Sequence, residues 1–100
     1  MKFLVIRKPR IGSGITPTSQ TVREHKETVL GALKRGDADC VYAFVGGGGF
    51  SIQNANSAEE LNQRLLGSPL GLFYDFDVRA LTDYGQLMDT VAQALDKQSH

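Results

Sequence analysis

Two histidines, one cysteine and three tyrosines, set among balanced charge, are the residues of this 100-residue chain with most scope for chemistry. His25 sits in TVREHKETVLGALKR with Val22, Val29, Leu30 and Leu33 at intervals of three and four, which places it on the apolar stripe of a helix. An imidazole in that position is either a hydrogen-bonded core residue or a group that moves a proton near neutral pH, and the spacing allows both. Asp75 and Asp77 recur at the period of a strand in FYDFDVRAL and so point the same way. They suit either a carboxylate pair for acid/base work or solvated charges matched by Arg79 or a subunit partner. Tyr42 and Tyr74 are candidate pocket hydroxyls within apolar strands. Lys8, Arg10, Gly12 and Gly14 lie in a connection that either closes over an anion or simply crosses the surface.

Other chemistries are excluded by the same reading. The run VGGGGFSIQ, residues 45–53, has four glycines, but a phosphate loop needs a helix opening directly behind them, and here the next residues alternate as a strand does. Gly46 to Gly49 are therefore expected to turn a hairpin and to bind no nucleotide. Eleven basic and eleven acidic residues give zero formal net charge without a block of one sign, which argues against a nucleic-acid partner. A lone Cys40 and two histidines offer no metal-ligand spacing, so no metal is expected, and Cys40 reads as a small strand residue. No apolar run is long enough for a signal peptide or a membrane span, which predicts a cytoplasmic protein with no membrane partner.

The elements that must position these residues follow in order. Phe3 to Arg7 reads as a strand, KPRIGSGITPT as a loop, and Thr18 to Arg35 as a helix stopped by Gly36. A hairpin is predicted from about Asp39 to Ala55. Ser57 followed by Glu60 forms a capping box for a second helix, which buries Leu61 and Leu65 and ends at Gly67-Ser68-Pro69. A fourth strand alternates Leu72, Tyr74, Phe76 and Val78 against charged positions, and Asp83 caps a last helix with Leu87, Met88, Val91 and Leu95 on one stripe. The order β-α-β-β-α-β plus a C-terminal helix over 82–97 predicts one α+β domain, residues 1–100. Its architecture is ferredoxin-like, an antiparallel sheet with helices on one face. The face without helices then needs solvent or a partner, and a second copy of the chain is the expected one.

The stretch FSIQNANSAEELNQRLLGSPLGLFYDFDVRAL resembles the C-terminal half of the muconolactone isomerase family. It has a strand with a Ser-Ile pair, a Ser-capped Glu-Leu helix, and a Pro-Leu turn before an aromatic, acidic strand. The similarity extends upstream through the helix ending at Gly36 and the opening MKFLV, about residues 1–81. It implies a dimeric α/β barrel, larger rings of subunits, and a double-bond shift in a small unsaturated lactone without metal or organic cofactor. Such chemistry removes and returns a proton beside a carbonyl, and needs an acid/base group together with donors for an enolate oxygen.

Aligned on Gly36, His25 takes the place of the family's proton-carrying glutamate, with Glu24 beside it. Tyr42 becomes the expected oxyanion donor. Cys40, Val41, Tyr42 and Ala43 replace a His-Leu-Trp-Arg run, so a carboxylate on the ligand would be matched by Arg7, Lys8 or Arg10. Cys40, Tyr74 and Asp75 complete the expected binding set. The alternative is a non-catalytic small-ligand-binding or assembly module on the same barrel. A cofactor-free monooxygenase on a similar barrel has no specific residue in its favour.

Overall fold

The computed structural model describes residues 1–10, 14 and 16–98. Its elements are β1 (Lys2–Pro9), α1 (Ser19–Arg35), β2 (Ala38–Ala43), β3 (Gly49–Asn54), α2 (Ala58–Gly67), β4 (Tyr74–Leu81) and α3 (Tyr84–Gln98). The four strands form one antiparallel sheet in the order β2-β3-β1-β4, the ferredoxin-like arrangement expected from the element order.

Period-two alternation sorts β1 cleanly. Phe3 and Val5 are buried at 3% and 2% exposure and, with Arg7, face the helices, while Leu4, Ile6 and Lys8 face the other way. Register carries the same division across the sheet. Opposite Phe3, Val5 and Arg7 stand Gln53, Ser51 and Gly49 on β3, and Ala80, Val78 and Phe76 on β4. The core then forms where α2 meets this face, from Phe3, Val5, Ala55, Leu61 and Leu65 with Phe76 against it. Burying the Phe3, Val5 and Leu61 side chains there contributes about 2 kcal/mol each.

Local signals define the element ends. Thr18 caps α1 by accepting from the N–H of Thr21, and Gly36 ends it at φ 83°, where the Asp37 N–H reaches back to the Ala32 carbonyl. The glycine run turns the β2–β3 hairpin. Gly46, Gly47 and Gly48 all have positive φ, and the Phe44 N–H bonds the Gly48 carbonyl at 2.9 Å. The fourth strand starts later than alternation suggests, because Gly71–Phe73 form a 3-10 turn. Gly71 is buried there against the Leu65 and Leu66 carbonyls, where a Cβ would collide. The first strand runs on through Lys8 and Pro9, beyond the Arg7 end that composition suggests. Of the predicted loop, Gly12 lies outside the described residues.

The last helix stands off the body. All of its described residues are exposed, Leu87, Met88 and Val91 among them, and the molecule extends 64 Å with a radius of gyration of 17.5 Å. A compact chain of this length has a radius near 13 Å. Among the described residues no helix is long and apolar enough to cross a membrane.

The second helix shows the expected capping box. Ser57 Oγ accepts from the Glu60 N–H at 3.1 Å, and the Glu60 carboxylate accepts from the Asn56 N–H at 2.8 Å. Since α2 carries the core leucines, Ser57→Ala is expected to lower stability by about 1 kcal/mol. A urea denaturation series checks this, and an unchanged midpoint would show that the cap contributes nothing.

Candidate functional site

Where α2 seals its half of the sheet, α1 does not. No residue of α1 is fully buried, and between it and the sheet lies a cavity of about 250 Å³. Val5, Val29, Val41, Leu65 and Phe76 give it mostly apolar walls. Arg7 enters from the central strand, Ser51 from β3, Tyr74 from β4 and His25 from α1. Four separate elements thus converge on one partly open cleft, as ligand sites do.

Arg7 continues the face that holds Phe3 and Val5, so strand period alone brings a guanidinium to the edge of the core. Its Nη2 donates to the Tyr42 carbonyl at 3.1 Å. Gly49 lies opposite, and a Cβ there would fall 2.7 Å from the Arg7 Cζ, so the missing side chain is the space the guanidinium uses.

His25 is half-buried and its Nδ1 accepts the backbone N–H of Leu70 at 3.3 Å. Its ring lies against Tyr74 with centroids 6.2 Å apart. Burial holds its pKa below the ordinary value, and the positive charge of Arg7 pushes in the same direction. The ring is therefore neutral at physiological pH.

Ser51 is 4% exposed and accepts from Gln53 Nε2 at 2.9 Å. Arg64 reaches from α2 across the strand ends, donating to the Asn54 carbonyl at 2.9 Å and to Gln53 Oε1 at 3.4 Å, and so fixes the amide that orients Ser51.

Of the residues selected from sequence, Arg7, His25 and Tyr74 meet in the cavity. The others lie elsewhere. Tyr42 and Cys40 pair with Phe50 and Ile52, which puts them on the sheet face without helices. An irregularity between Ala38 and Cys40 shifts the phase of β2 there. Asp75 pairs with Lys8 on that same opposite face, where Arg10 Nε bonds its carboxylate at 3.0 Å. Glu24 is exposed on α1 and accepts from Gln20 Nε2. Asp77 is exposed and has Arg79 Nη2 at 4.0 Å, the solvated alternative of the two weighed for it. Ser51 and Gln53 were not selected, although they are the polar positions alternating with Phe50 and Ile52. Among the described residues no cluster of three or more His, Cys, Asp or Glu side chains could hold a metal ion.

No protein-family model matches the sequence, nor does any curated protein. In three dimensions the chain is similar to muconolactone isomerase, with a TM-score of 0.72 at 22% identity over 84% of this chain and 91% of that one. It is also similar to 5-chloro-2-hydroxyhydroquinone dehydrochlorinase from Burkholderia phenoliruptrix, solved in complex with 2,5-dihydroxybenzoquinone. That TM-score is 0.62 at 20% identity, over 86% of this chain and 98% of the other. The class is thus the ferredoxin-like α+β domains, and within it the chain has the muconolactone isomerase-like fold.

The depressed pKa of His25 has a thermodynamic sign. The unfolded chain binds that proton more readily than the folded one, so the contribution to stability is complete above the ordinary value of 6.5 and is lost as pH falls below it. Urea midpoints measured from about pH 8 to pH 5 are expected to fall more steeply for the native chain than for His25→Gln. Equal slopes would show that the histidine is not shielded.

Proposed function

We propose that the cavity under α1 is the site of a cofactor-free enzyme that shifts a double bond by proton transfer in a small carbonyl compound, an unsaturated lactone or a relative of one. The observation that carries this reading is that His25, its pKa held low, Arg7 and Tyr74 line one largely apolar cavity. In that arrangement Arg7 holds the negative charge of the ligand or of the developing enolate. His25 gives a proton to the carbonyl oxygen as the enolate forms and takes it back as the enolate collapses, and Tyr74 supplies a further hydroxyl. A water entering with the ligand takes the proton from the one carbon and returns one to the other. The two solved structures of similar fold are named for reactions on small organic molecules, which supports the substrate class. Tyr42, Cys40, Asp75 and Glu24 have no part in this cavity.

A second reading, a binding module without turnover, is favoured by one feature. The described cavity wall contains no carboxylate to serve as base toward carbon. Deuterium exchange separates the two. With a panel of unsaturated lactones in deuterated buffer followed by NMR, the native chain is expected to exchange the acidic proton of at least one member, and His25→Gln to exchange it about a hundredfold more slowly. Melting temperature serves as the folding control. Absence of exchange across the panel would leave the binding module.

The sheet face without helices carries Leu4, Ile6, Tyr42, Phe44, Phe50 and Ile52, with Tyr42 and Phe50 ring centroids 5.6 Å apart and Phe44 and Phe50 6.0 Å apart. Tyr42 is 61% exposed and Phe44 44%. We place the contact between two copies of the chain here, back to back as an α/β barrel, in a cytoplasmic homo-oligomer. Light scattering at micromolar concentration is expected to report at least a dimer for the native chain and a monomer for Phe50→Arg. A monomeric native chain would contradict the assignment.

A further inference from the structure

Four polar groups of the cavity share a property that the proposed reaction alone does not require. Each is able to present a proton. Arg7 has only donors. Ser51 accepts from Gln53, which leaves its own hydroxyl proton to give. Tyr74 brings a phenol. The histidine follows from its backbone partner: a ring nitrogen that accepts an N–H carries no proton of its own, so in neutral His25 the proton resides on Nε2.

We propose that His25 acts as a neutral hydrogen-bond donor through Nε2, locked in that tautomer by the Leu70 amide, and that the cavity takes the anion of a vinylogous acid. In such a ligand the negative charge is shared by two oxygens at separated edges of a flat conjugated ring. This deepens the reading of the cavity as a small-molecule site, on which it rests.

Three features select that ligand. The donors come from opposite sides, Arg7 and Ser51 from the sheet and His25 from α1, so the acceptor oxygens must lie at different edges of the ligand. Between the donors the walls are aliphatic and aromatic, which suits a ring face and not a hydrated aliphatic carboxylate. The volume is adequate too: about 150 Å³ of apolar cavity accommodates benzene, so about 250 Å³ holds one substituted ring. A ligand that reaches the site already ionised also has no need of the carboxylate base that the described wall lacks.

Nitrogen-15 NMR of the native chain tests the tautomer directly, with Nε2 expected at a pyrrole-type shift and Nδ1 at a pyridine-type shift. Tetronate, a five-membered lactone that is a vinylogous acid, is then titrated beside acetate and γ-butyrolactone. Tetronate is expected to bind about tenfold or more tightly than either and to move the His25 Nε2 and Arg7 side-chain signals. Arg7→Met is expected to lose about tenfold or more of that affinity. His25→Gln, which keeps an N–H donor, should bind within a few-fold of the native chain, and His25→Leu should not. A pyridine-type Nε2, or tetronate no tighter than acetate, overturns the proposal. Lactone exchange without tetronate binding overturns it while sparing the isomerase reading; tetronate binding without lactone exchange does the reverse.

Discussion

Everything in the cavity depends on one strand whose period-two alternation runs from core to charge on a single face. Phe3 and Val5 bury themselves under α2, and the next residue on that face is Arg7. A half-buried guanidinium in this place gains from a polar partner and needs space, since desolvating a charge without compensation is costly. The Tyr42 carbonyl provides a partner, and the absence of a side chain at Gly49 provides the space. The helix-covered face is consequently divided: α2 closes over an apolar core, while α1 stands off and leaves the cavity.

That division also explains the electrostatics of His25. The ring is shielded enough to disfavour its charged form, and it lies within the field of Arg7, which acts in the same direction. The Leu70 amide adds what electrostatics cannot, a choice between the two ring nitrogens. Leu70 owes its position to the buried Gly71, which lets the chain cross closely over the carbonyls at the end of α2 before β4 begins. A backbone crossing at one end of the molecule thus determines which atom of a side chain on another helix carries the proton.

Much of this was legible in the sequence. The spacing of Val22, His25 and Val29, the Ser57–Glu60 box and the alternation through Tyr74, Phe76 and Val78 each encode an element, because helix and strand periods are local properties of the chain. Their sum gave the ferredoxin-like order. The site was only partly legible, for a physical reason: strand period tells which residues share a face but not which face the helices cover. Tyr42 and Asp75 are therefore as plausible in sequence as Tyr74, and pairing separates them only once β1, β3 and β4 are aligned. Ser51 had a usable signal, a polar residue between Phe50 and Ile52 on a strand expected to be half-buried. The bond from Leu70 to His25 joins residues 45 apart and leaves no local pattern.

The central claim is that Arg7 and His25 hold one ligand between the sheet and α1. A crystal structure of the chain with tetronate tests it most directly. The account predicts a ring lying among Val5, Val29 and Phe76, with one oxygen at hydrogen-bond distance from the Arg7 guanidinium and another from His25 Nε2. A cavity closed by α1 lying flat on the sheet, or a ligand bound on the opposite sheet face beside Tyr42, would contradict it.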